Sequence, residues 1–375
     1  MYRRFAYLAV EFMAAALMAL TATGCNHDTD PIIGDDSGKI VGFYVLNSGT
    51  EIKNVCSLDY YDYEERFYIR DFFKYANSAE ESDIGELGND LAVYSDKLWA
   101  VIFGSGVVKV MDAGTARLLK TIEIPGCRNI VFGGDYAYVS SYADATRDAC
   151  DRLGYVAKID LQSLEIVDVC NVGYQPEEMA IAKGKLYVAN SGCYRERDYE
   201  HSVSVIDLAT FDVIDRIDVA INLHHVRLDS YGKLWVSSRG DYYDEHPRLF
   251  CIDTDSDMVI DIIPDLPCSN FDICGDSLYV CNNIMNNFSF SFEPIYAILD
   301  VTTHEIVSDM FIKDGSETEL NSTNSIAVNP DTREILITDV KDDVPGTVLC
   351  YSPEGVLQWS VYAGISPSRI VFIRQ

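Results

Sequence analysis

Two groups of side chains in this sequence could bind a ligand, and they offer different chemistry. The first group is aromatic and could cover a broad apolar surface; its members are Tyr142, Tyr194, Tyr199, Tyr242, Tyr243 and Phe288. The second group is polar or charged and could hydrogen-bond the edge of the same ligand; its members are Arg128, Gln175, Glu177, His224, His225, Arg239, Asp241, Asn270, Asn324 and Arg369. An aromatic rim around polar groups suits a ligand with an apolar face and a polar edge.

Signatures of catalysis are poor in this sequence. It contains no GxSxG elbow, no HExxH pair, no phosphate-binding glycine loop and no paired-cysteine zinc spacing. Glu177 and Asp241 are carboxylates without an evident pair, whereas glycoside hydrolysis needs two. His224 and His225 are adjacent, so on a strand we expect them to point to opposite faces and not to share a metal ion. The sequence therefore predicts a binding protein without a metal or cofactor, not an enzyme.

Composition limits the class of protein further. The chain has 375 residues, of which 48% are hydrophobic, so it can bury the core of one large domain. Its formal net charge of −30 would repel phosphates, which excludes nucleic acid as a partner.

The N-terminal segment predicts export. Arg3 and Arg4 precede an apolar run at 12–20 that is too short to span a bilayer, which is typical of a signal peptide over residues 1–24. Cys25 follows small residues as in the lipobox of bacterial lipoproteins, although Ala22 stands where a larger apolar residue is usual. We expect Cys25 to be lipidated and to be the sole membrane attachment; an ordinary cleavage site is the alternative. Residues 25–39 are polar and acidic, as expected of a flexible tether.

Internal repeats indicate the elements that must position the binding residues. Seven short β-rich segments recur, centred on Tyr44, Trp99, Tyr138, Tyr187, Trp235, Tyr279 and Leu336. They are separated by 55, 39, 49, 48, 44 and 57 residues, which brackets the period of four-stranded propeller blades. Residues 40–375 are therefore predicted to form an all-β, seven-bladed β-propeller of antiparallel blades. An open array or a sandwich of similar strands is the alternative.

The end of the chain is predicted to close this ring. SRIVFI at 368–373 matches the strand that precedes each repeat, and the first repeat lacks such a strand upstream. We expect this last strand to become the inner strand of the first blade, which removes an exposed sheet edge.

Loop lengths predict which face of the propeller binds. The connections from second to third strands at 141–154, 191–201, 238–247 and 282–294 are long and carry the aromatic group. The loop at 238–247 also carries Arg239 and Asp241. Connectors between blades leave on the same face and place the rest of the polar group around the channel mouth. The opposite face has short turns and is expected to be plain.

Ten cysteines follow Cys25. Cys170, Cys251, Cys281 and Cys350 fall in or beside predicted strands, where we expect them to pack as small hydrophobes. Cys150 and Cys193 lie in neighbouring long loops, and a disulfide between them is a hypothesis; free thiols are the alternative.

Several strings of the sequence resemble a known family. VGYQPEEMAIAKGKLYVANSG, DVAINLHHVRLD and LWVSSRGDYY within residues 172–243 resemble YncE-like seven-bladed propeller lipoproteins on the surface of gut Bacteroidetes, and the resemblance extends over nearly the whole chain after the tether. These proteins include the BtuG-type cobalamin-binding lipoproteins. The acidic residues after Cys25 also resemble surface-export signals of that phylum, which implies the outer membrane, facing the medium.

The resemblance implies capture of cobalamin or a related corrinoid as a ligand, not as a cofactor, and its transfer to a TonB-dependent outer-membrane transporter. The corrin would lie across the channel mouth, with tyrosine and histidine on its apolar face and Arg128, Gln175, Arg239, Asn270 and Asn324 at its amides. Two other classes stay open: a glycan- or protein-binding adhesion module, and a propeller enzyme acting on polysaccharide or a lactone.

Overall fold

The computed structural model describes residues 38–375 except 54, 79–81, 148–150, 196, 265, 269 and 287–290. The predicted signal peptide and Cys25 lie outside these residues. None of the helices in this part of the chain is long and apolar enough to cross a membrane.

Seven four-stranded antiparallel sheets form the blades of a β-propeller, as predicted. From the inner strand outwards, blade one comprises β28 (Pro367–Arg374), β1 (Ile40–Asn47), β2 (Ser57–Asp62) and β3 (Phe67–Ile69). Blade two comprises β4 (Gly88–Tyr94), β5 (Lys97–Ile102), β6 (Val107–Asp112) and β7 (Leu118–Glu123), and blade three comprises β8 (Cys127–Gly133), β9 (Tyr136–Ser141), β10 (Tyr155–Asp160) and β11 (Glu165–Asn171).

The remaining blades follow the same order. Blade four comprises β12 (Pro176–Ala182), β13 (Lys185–Asn190), β14 (Ser202–Asp207) and β15 (Asp212–Asp218), and blade five comprises β16 (Leu223–Leu228), β17 (Lys233–Ser238), β18 (Arg248–Asp253) and β19 (Met258–Ile263). Blade six comprises β20 (Phe271–Cys274), β21 (Ser277–Asn286), β22 (Ser291–Asp300) and β23 (Ile306–Ser308), and blade seven comprises β24 (Thr323–Val328), β25 (Ile335–Lys341), β26 (Val344–Tyr351) and β27 (Leu357–Ile365).

The core lies between the blades. Buried hydrophobic residues of the described chain group into seven clusters, and each cluster joins two neighbouring blades. The residues that marked the repeats lie in these clusters because they sit on the second strand of each blade. Trp99 and Trp235, for example, are fully buried and each packs against the next blade. Each sheet thus packs one face on the preceding blade and the other face on the following blade.

The ring closes through the last strand, as predicted. β28 pairs antiparallel with β1, with Ile370 opposite Val45 and Arg374 opposite Ile40. Residues from opposite ends of the chain thereby complete blade one.

Aspartates at the ends of third strands shape the turns. Asp207 Oδ1 accepts hydrogen bonds from the amides of Ala209 and Thr210 at 2.8 and 3.0 Å. Asp160 and Asp300 hold the equivalent turns of blades three and six in the same way. Because the side chain satisfies two turn amides, the repeated Asp is a structural signal and not a ligand.

Two departures from the repeat lie in its two longest steps. A short helix, α1 (Phe72–Ala76), is inserted between blades one and two, and a 3₁₀ helix, Ser316–Glu319, is inserted between blades six and seven.

The interpretation of 282–294 as a long loop was wrong, because β21 and β22 continue as a paired hairpin with Asn286 opposite Ser291.

The two faces of the ring differ. The loop face carries the connections from second to third strands and those between blades, and the turn face carries the short hairpins. The described chain begins on the turn face, where Arg374 Nη1 donates to the carbonyl of Gly38 at 2.8 Å.

Candidate functional site

A cleft of about 1120 Å³ opens on the loop face between the long loops of blades three, four and five. We call it the loop cleft. It is lined by Arg147, Cys193, Tyr194, Arg197, Asp198, Tyr199, Ile221, Asp241, Tyr242, Tyr243, Asp244 and Glu245. Five residues of the predicted ligand-binding set or its aromatic rim therefore meet in one place: Tyr194, Tyr199, Asp241, Tyr242 and Tyr243.

The blade-five wall of the cleft is a loop stiffened by Asp241. Asp241 Oδ1 accepts hydrogen bonds from the amides of Tyr243, Asp244 and Glu245 at 2.8–2.9 Å. These bonds hold the pKa of the Asp241 carboxyl below its usual value. Tyr242, at a φ of 65°, and Tyr243 remain 62% and 76% exposed. The loop thus presents two aromatic rings to solvent on a rigid base.

Gly240 is required at the start of this loop. Its φ is +68°, and a Cβ there would lie 1.8 Å from the carbonyl oxygen of Glu245. Any other residue would force the two ends of the loop apart.

Tyr142 and Cys193 separate the loop cleft from the channel mouth. The Tyr142 hydroxyl lies 3.3 Å from Cys193 Sγ, and the Tyr142 ring meets the Tyr194 ring edge to face at 5.4 Å. Tyr142 is only 2% exposed, so it supports the cleft from beneath and does not line it.

Behind Tyr142 lies an ionic group that we call the upper cluster: Arg128, Tyr142, Glu177 and Arg239. Arg128 donates to Glu177 Oε2 through Nη2 at 2.9 Å and Nε at 3.2 Å. Glu177 Oε1 accepts from Tyr142 at 2.5 Å and from Arg239 Nη1 at 3.3 Å. A buried carboxylate with three donors is fully satisfied and is held in one geometry.

The pKa values of this cluster follow from its charges. Burial opposes the charged form of Glu177, but Arg128 and Arg239 outweigh burial and hold its pKa below the usual value. Burial and Glu177 raise the pKa of Tyr142 well above the usual value, against the opposing effect of Arg128. Glu177 is therefore ionised and Tyr142 protonated at neutral pH, and neither is poised for proton transfer.

Nearer the axis lies a second ionic group, which we call the axial cluster: Asp90, Glu178, His225, Arg227 and Arg369. Glu178 forms ion pairs with Arg227 and Arg369, and its Oε1 lies 2.8 Å from His225 Nδ1. Arg369 Nε also donates to Asp90 Oδ1 at 2.6 Å. These side chains come from four blades and meet inside the channel, so the centre of the ring is ionic.

His224 and His225 do not diverge as the sequence suggested. Their ring centroids are 3.8 Å apart. The register of β16 against β17 shifts between Leu223 and Val226, which marks a β-bulge, and a bulge interrupts the alternation of side chains. Burial lowers the pKa of both histidines, that of His224 well below the usual value.

The predicted amide residues link neighbouring inner strands. The Asn270 side chain donates to the carbonyl of Asn324, and Asn324 Nδ2 donates to the carbonyl of Pro367 at 3.3 Å. Gln175 is 1% exposed, and its carbonyl accepts from the amide and hydroxyl of Ser191 at 3.1 and 2.8 Å. Of these three residues, Asn324 is the exposed one.

Sequence reasoning missed Asp90, Glu178 and Arg227. Glu178 lies next to Glu177, and Asp90 takes the place in its inner strand that Arg369 takes in blade one, so a strict alignment of the seven repeats would have found these two but not Arg227.

Contrary to the prediction, the turn face is not plain. It holds a cavity of about 750 Å³ whose walls include Leu91, Val93 and Val371.

The structure tests most of the predictions made for the cysteines. Cys170, Cys251, Cys281 and Cys350 are buried thiols, as predicted. Cys193 is a free, partly exposed thiol, while Cys150 and Phe288 lie outside the described residues. In the part of the chain that the structure describes, no three His, Cys, Asp or Glu side chains group in a way that could hold a metal ion.

Comparison with known proteins places the chain in a family. The family described as a domain of unknown function, DUF5074, matches residues 41–346, which extend from blade one into blade seven. The chain belongs to the DUF5074 family. This DUF5074 protein has no match among curated proteins.

Solved structures share the fold. A quinonprotein alcohol dehydrogenase-like protein from Bacteroides thetaiotaomicron is 14% identical, with a TM-score of 0.57 over 90% of this chain and 79% of that chain. Hydrazine synthase from Kuenenia stuttgartiensis is 15% identical, with a TM-score of 0.56 over 75% of this chain and 93% of that chain. Dihydro-heme d1 dehydrogenase NirN is 14% identical, with a TM-score of 0.53 over 92% of this chain and 79% of that chain. At these identities the likeness concerns the propeller alone.

Proposed function

We propose that this DUF5074 protein is a cell-surface lipoprotein that binds its ligand noncovalently in the loop cleft. The cleft itself is the observation that carries the proposal. Its volume of about 1120 Å³ exceeds the range of roughly 300–1,000 Å³ that is common for small-molecule sites. Four tyrosines line it, and two of them stand largely exposed on a rigid loop. Exposed aromatic rings on a fixed scaffold are suited to capture.

The state of the two candidate carboxylates supports binding without catalysis. Glu177 is committed to Arg128, Arg239 and Tyr142. Asp241 is committed to three amides of its own loop. A general acid needs a proton near neutral pH, and the pKa of each of these carboxyls is lowered.

Cobalamin or a related corrinoid is the ligand that we propose. A large flat macrocycle with polar amides at its edge needs wide aromatic area and many hydrogen-bond donors. The cleft offers four tyrosines together with Arg147 and Arg197. We further propose that the ligand passes to a TonB-dependent outer-membrane transporter.

Mixing purified protein with cyanocobalamin tests the ligand directly. We expect a coloured complex that co-elutes on size exclusion. Replacing both Tyr242 and Tyr243 by Ala should weaken binding by about tenfold or more, since each aromatic contact contributes about 0.5–1.5 kcal/mol. Tyr231→Ala is the matched control, because Tyr231 is 55% exposed in a turn-face hairpin. Absence of a complex would overturn the corrinoid proposal.

A glycan is the second candidate, and the adjacent exposed rings of Tyr242 and Tyr243 favour it. Sugars stack on such platforms and hydrogen-bond to carboxylates such as Asp244 and Glu245, which line the same cleft. A glycan panel on the same variants separates the two candidates, since the tyrosine pair should matter for whichever ligand binds.

A further inference from the structure

The upper cluster carries more positive than negative charge. Two guanidinium groups, those of Arg128 and Arg239, share the single carboxylate of Glu177. Among the described residues, Glu177 is the one acid that forms an ion pair with either arginine. The neighbouring Glu178 is engaged by Arg227 and Arg369 instead. One positive charge is therefore left uncompensated in a chain whose formal net charge is −30.

Both arginines are held in place and remain partly exposed to solvent. The Arg128 guanidinium lies over the rings of Phe103 and Tyr142, at 4.9 and 4.7 Å from their centroids. The side chains of Arg128 and Arg239 keep 15% and 22% of their surface exposed. A guanidinium fixed by aromatic faces loses little entropy when it binds a second partner.

Donor groups remain for such a partner. Glu177 engages Nε and Nη2 of Arg128 and Nη1 of Arg239. Each guanidinium carries five N–H donors in a planar fork. The N–H groups not directed at Glu177 can therefore meet an oxyanion in a two-point arrangement, which is the strongest hydrogen-bonded pairing that arginine makes.

The pair also lies beside the loop cleft. Tyr142, a member of the upper cluster, contacts Cys193 through its hydroxyl at 3.3 Å, and Cys193 lines the cleft. The cleft wall itself carries Arg147, whose guanidinium lies 5.4 Å from the centroid of the Tyr194 ring. Since both guanidiniums keep some exposed surface, a ligand on the tyrosines can extend an acidic group past Tyr142 to Arg128 and Arg239.

We propose that Arg128 and Arg239 form an oxyanion subsite, so that the ligand of the loop cleft carries a carboxylate or phosphate group. This inference rests on the proposed function for its choice of site. It goes beyond that function because it specifies a negatively charged group on the ligand that the protein recognises.

Inorganic phosphate and acetate test the subsite without any organic ligand. At constant ionic strength, set with sodium chloride, we expect one of them to raise the melting temperature of the wild-type protein saturably. If phosphate has the lower half-saturating concentration, the acidic group of the ligand is a phosphate; if acetate has, it is a carboxylate. Arg239→Gln should lose most of this shift, whereas Arg216→Gln, which alters an exposed arginine of β15, should keep it.

Glu177→Gln provides a test in the opposite direction. It removes the carboxylate that competes for both guanidiniums, so phosphate should stabilise this variant more than wild type. A purely structural role for the arginines would not produce this gain. An unresponsive wild type, or an Arg239→Gln variant that responds as wild type does, would overturn the subsite. Because cyanocobalamin is absent from the assay, failure here is distinct from failure of corrinoid capture.

Discussion

Arg369 of blade one forms an ion pair with Glu178 of blade four, three blades further around the ring. The same guanidinium binds Asp90 of blade two, and Glu178 also pairs with Arg227 of blade five. The hydrophobic clusters join only blades that are neighbours in the ring, whereas the axial cluster also joins blades that are not neighbours. It therefore restrains the ring across its centre.

We expect Glu178→Gln to lower the free energy of unfolding by about 3 kcal/mol, because two guanidiniums would stay buried with too little negative charge. Urea denaturation at pH 7 measures the change. Glu165→Gln is the control: Glu165 is 65% exposed and pairs with Lys120 on the surface, so its loss should cost less than about 1 kcal/mol. Equal losses in the two variants would contradict a restraining role for the axial cluster.

The buried histidines should make stability depend on pH. Burial lowers the pKa of His224 and His225 from 6.5, so the unfolded chain binds protons that the folded chain does not. Their contribution to stability is thus complete above the unfolded pKa and is lost as pH falls below it. Unfolding by urea at pH 7, 6 and 5 should show a smaller fall for His224→Asn than for wild type. Parallel pH profiles would speak against this role.

Asp272 should behave in the opposite way from Glu178. Its Oδ2 accepts from the amide of Val328 at 3.0 Å, and burial raises the pKa of its carboxyl. Because the folded state holds the proton more tightly than the unfolded state, ionised Asp272 costs stability at neutral pH and that cost fades as pH falls. Asp272→Asn keeps an acceptor and should leave the free energy of unfolding unchanged or raise it by about 1 kcal/mol.

The control for this prediction is Asp90→Asn, which weakens the pairing with Arg369 and should destabilise the protein. Both variants are compared at pH 7 by urea denaturation. If Asp272→Asn destabilised the fold as much as Asp90→Asn, the raised pKa of Asp272 would not reflect a cost of burying its charge.

Cys193 should be the fastest-reacting thiol of the described chain. It is partly exposed, whereas burial raises the pKa of Cys56, Cys127 and Cys281 to about 12. Thiols with so high a pKa are inert at neutral pH. Brief labelling with a maleimide followed by peptide mapping should find Cys193 first, and a ligand in the loop cleft should slow it. Modification of a buried cysteine at the same rate would contradict this ranking.

The architecture could be predicted because the repeats encode it locally. Trp99 and Trp235 mark second strands, and the unmatched strand at 368–373 fits the one blade that lacks an inner strand. Each signal depends on residues close in sequence, where side-chain alternation and turn chemistry decide the outcome.

The site could be predicted only in part. Loop lengths predicted that the long loops share one face, and the loops carrying Tyr194 and Tyr242 do meet in one cleft there. The burial of Tyr142 and the pairing of Arg369 with Glu178 could not be predicted, since they depend on which side chains face one another across the ring. The approach of His224 to His225 was missed because a bulge leaves no mark in hydrophobic alternation.

The strand Pro367–Arg374 is the last of the described strands along the chain and the innermost of blade one. Until it arrives, β1 has an unpaired edge and the ring has a gap, however well the other blades are formed. Closure of the ring is thereby postponed until β28 has been synthesised, and a chain truncated before Pro367 exposes the edge of β1 to aggregation and proteases. The seam between β28 and β1 thus acts as a check that all seven blades are present before the ring closes.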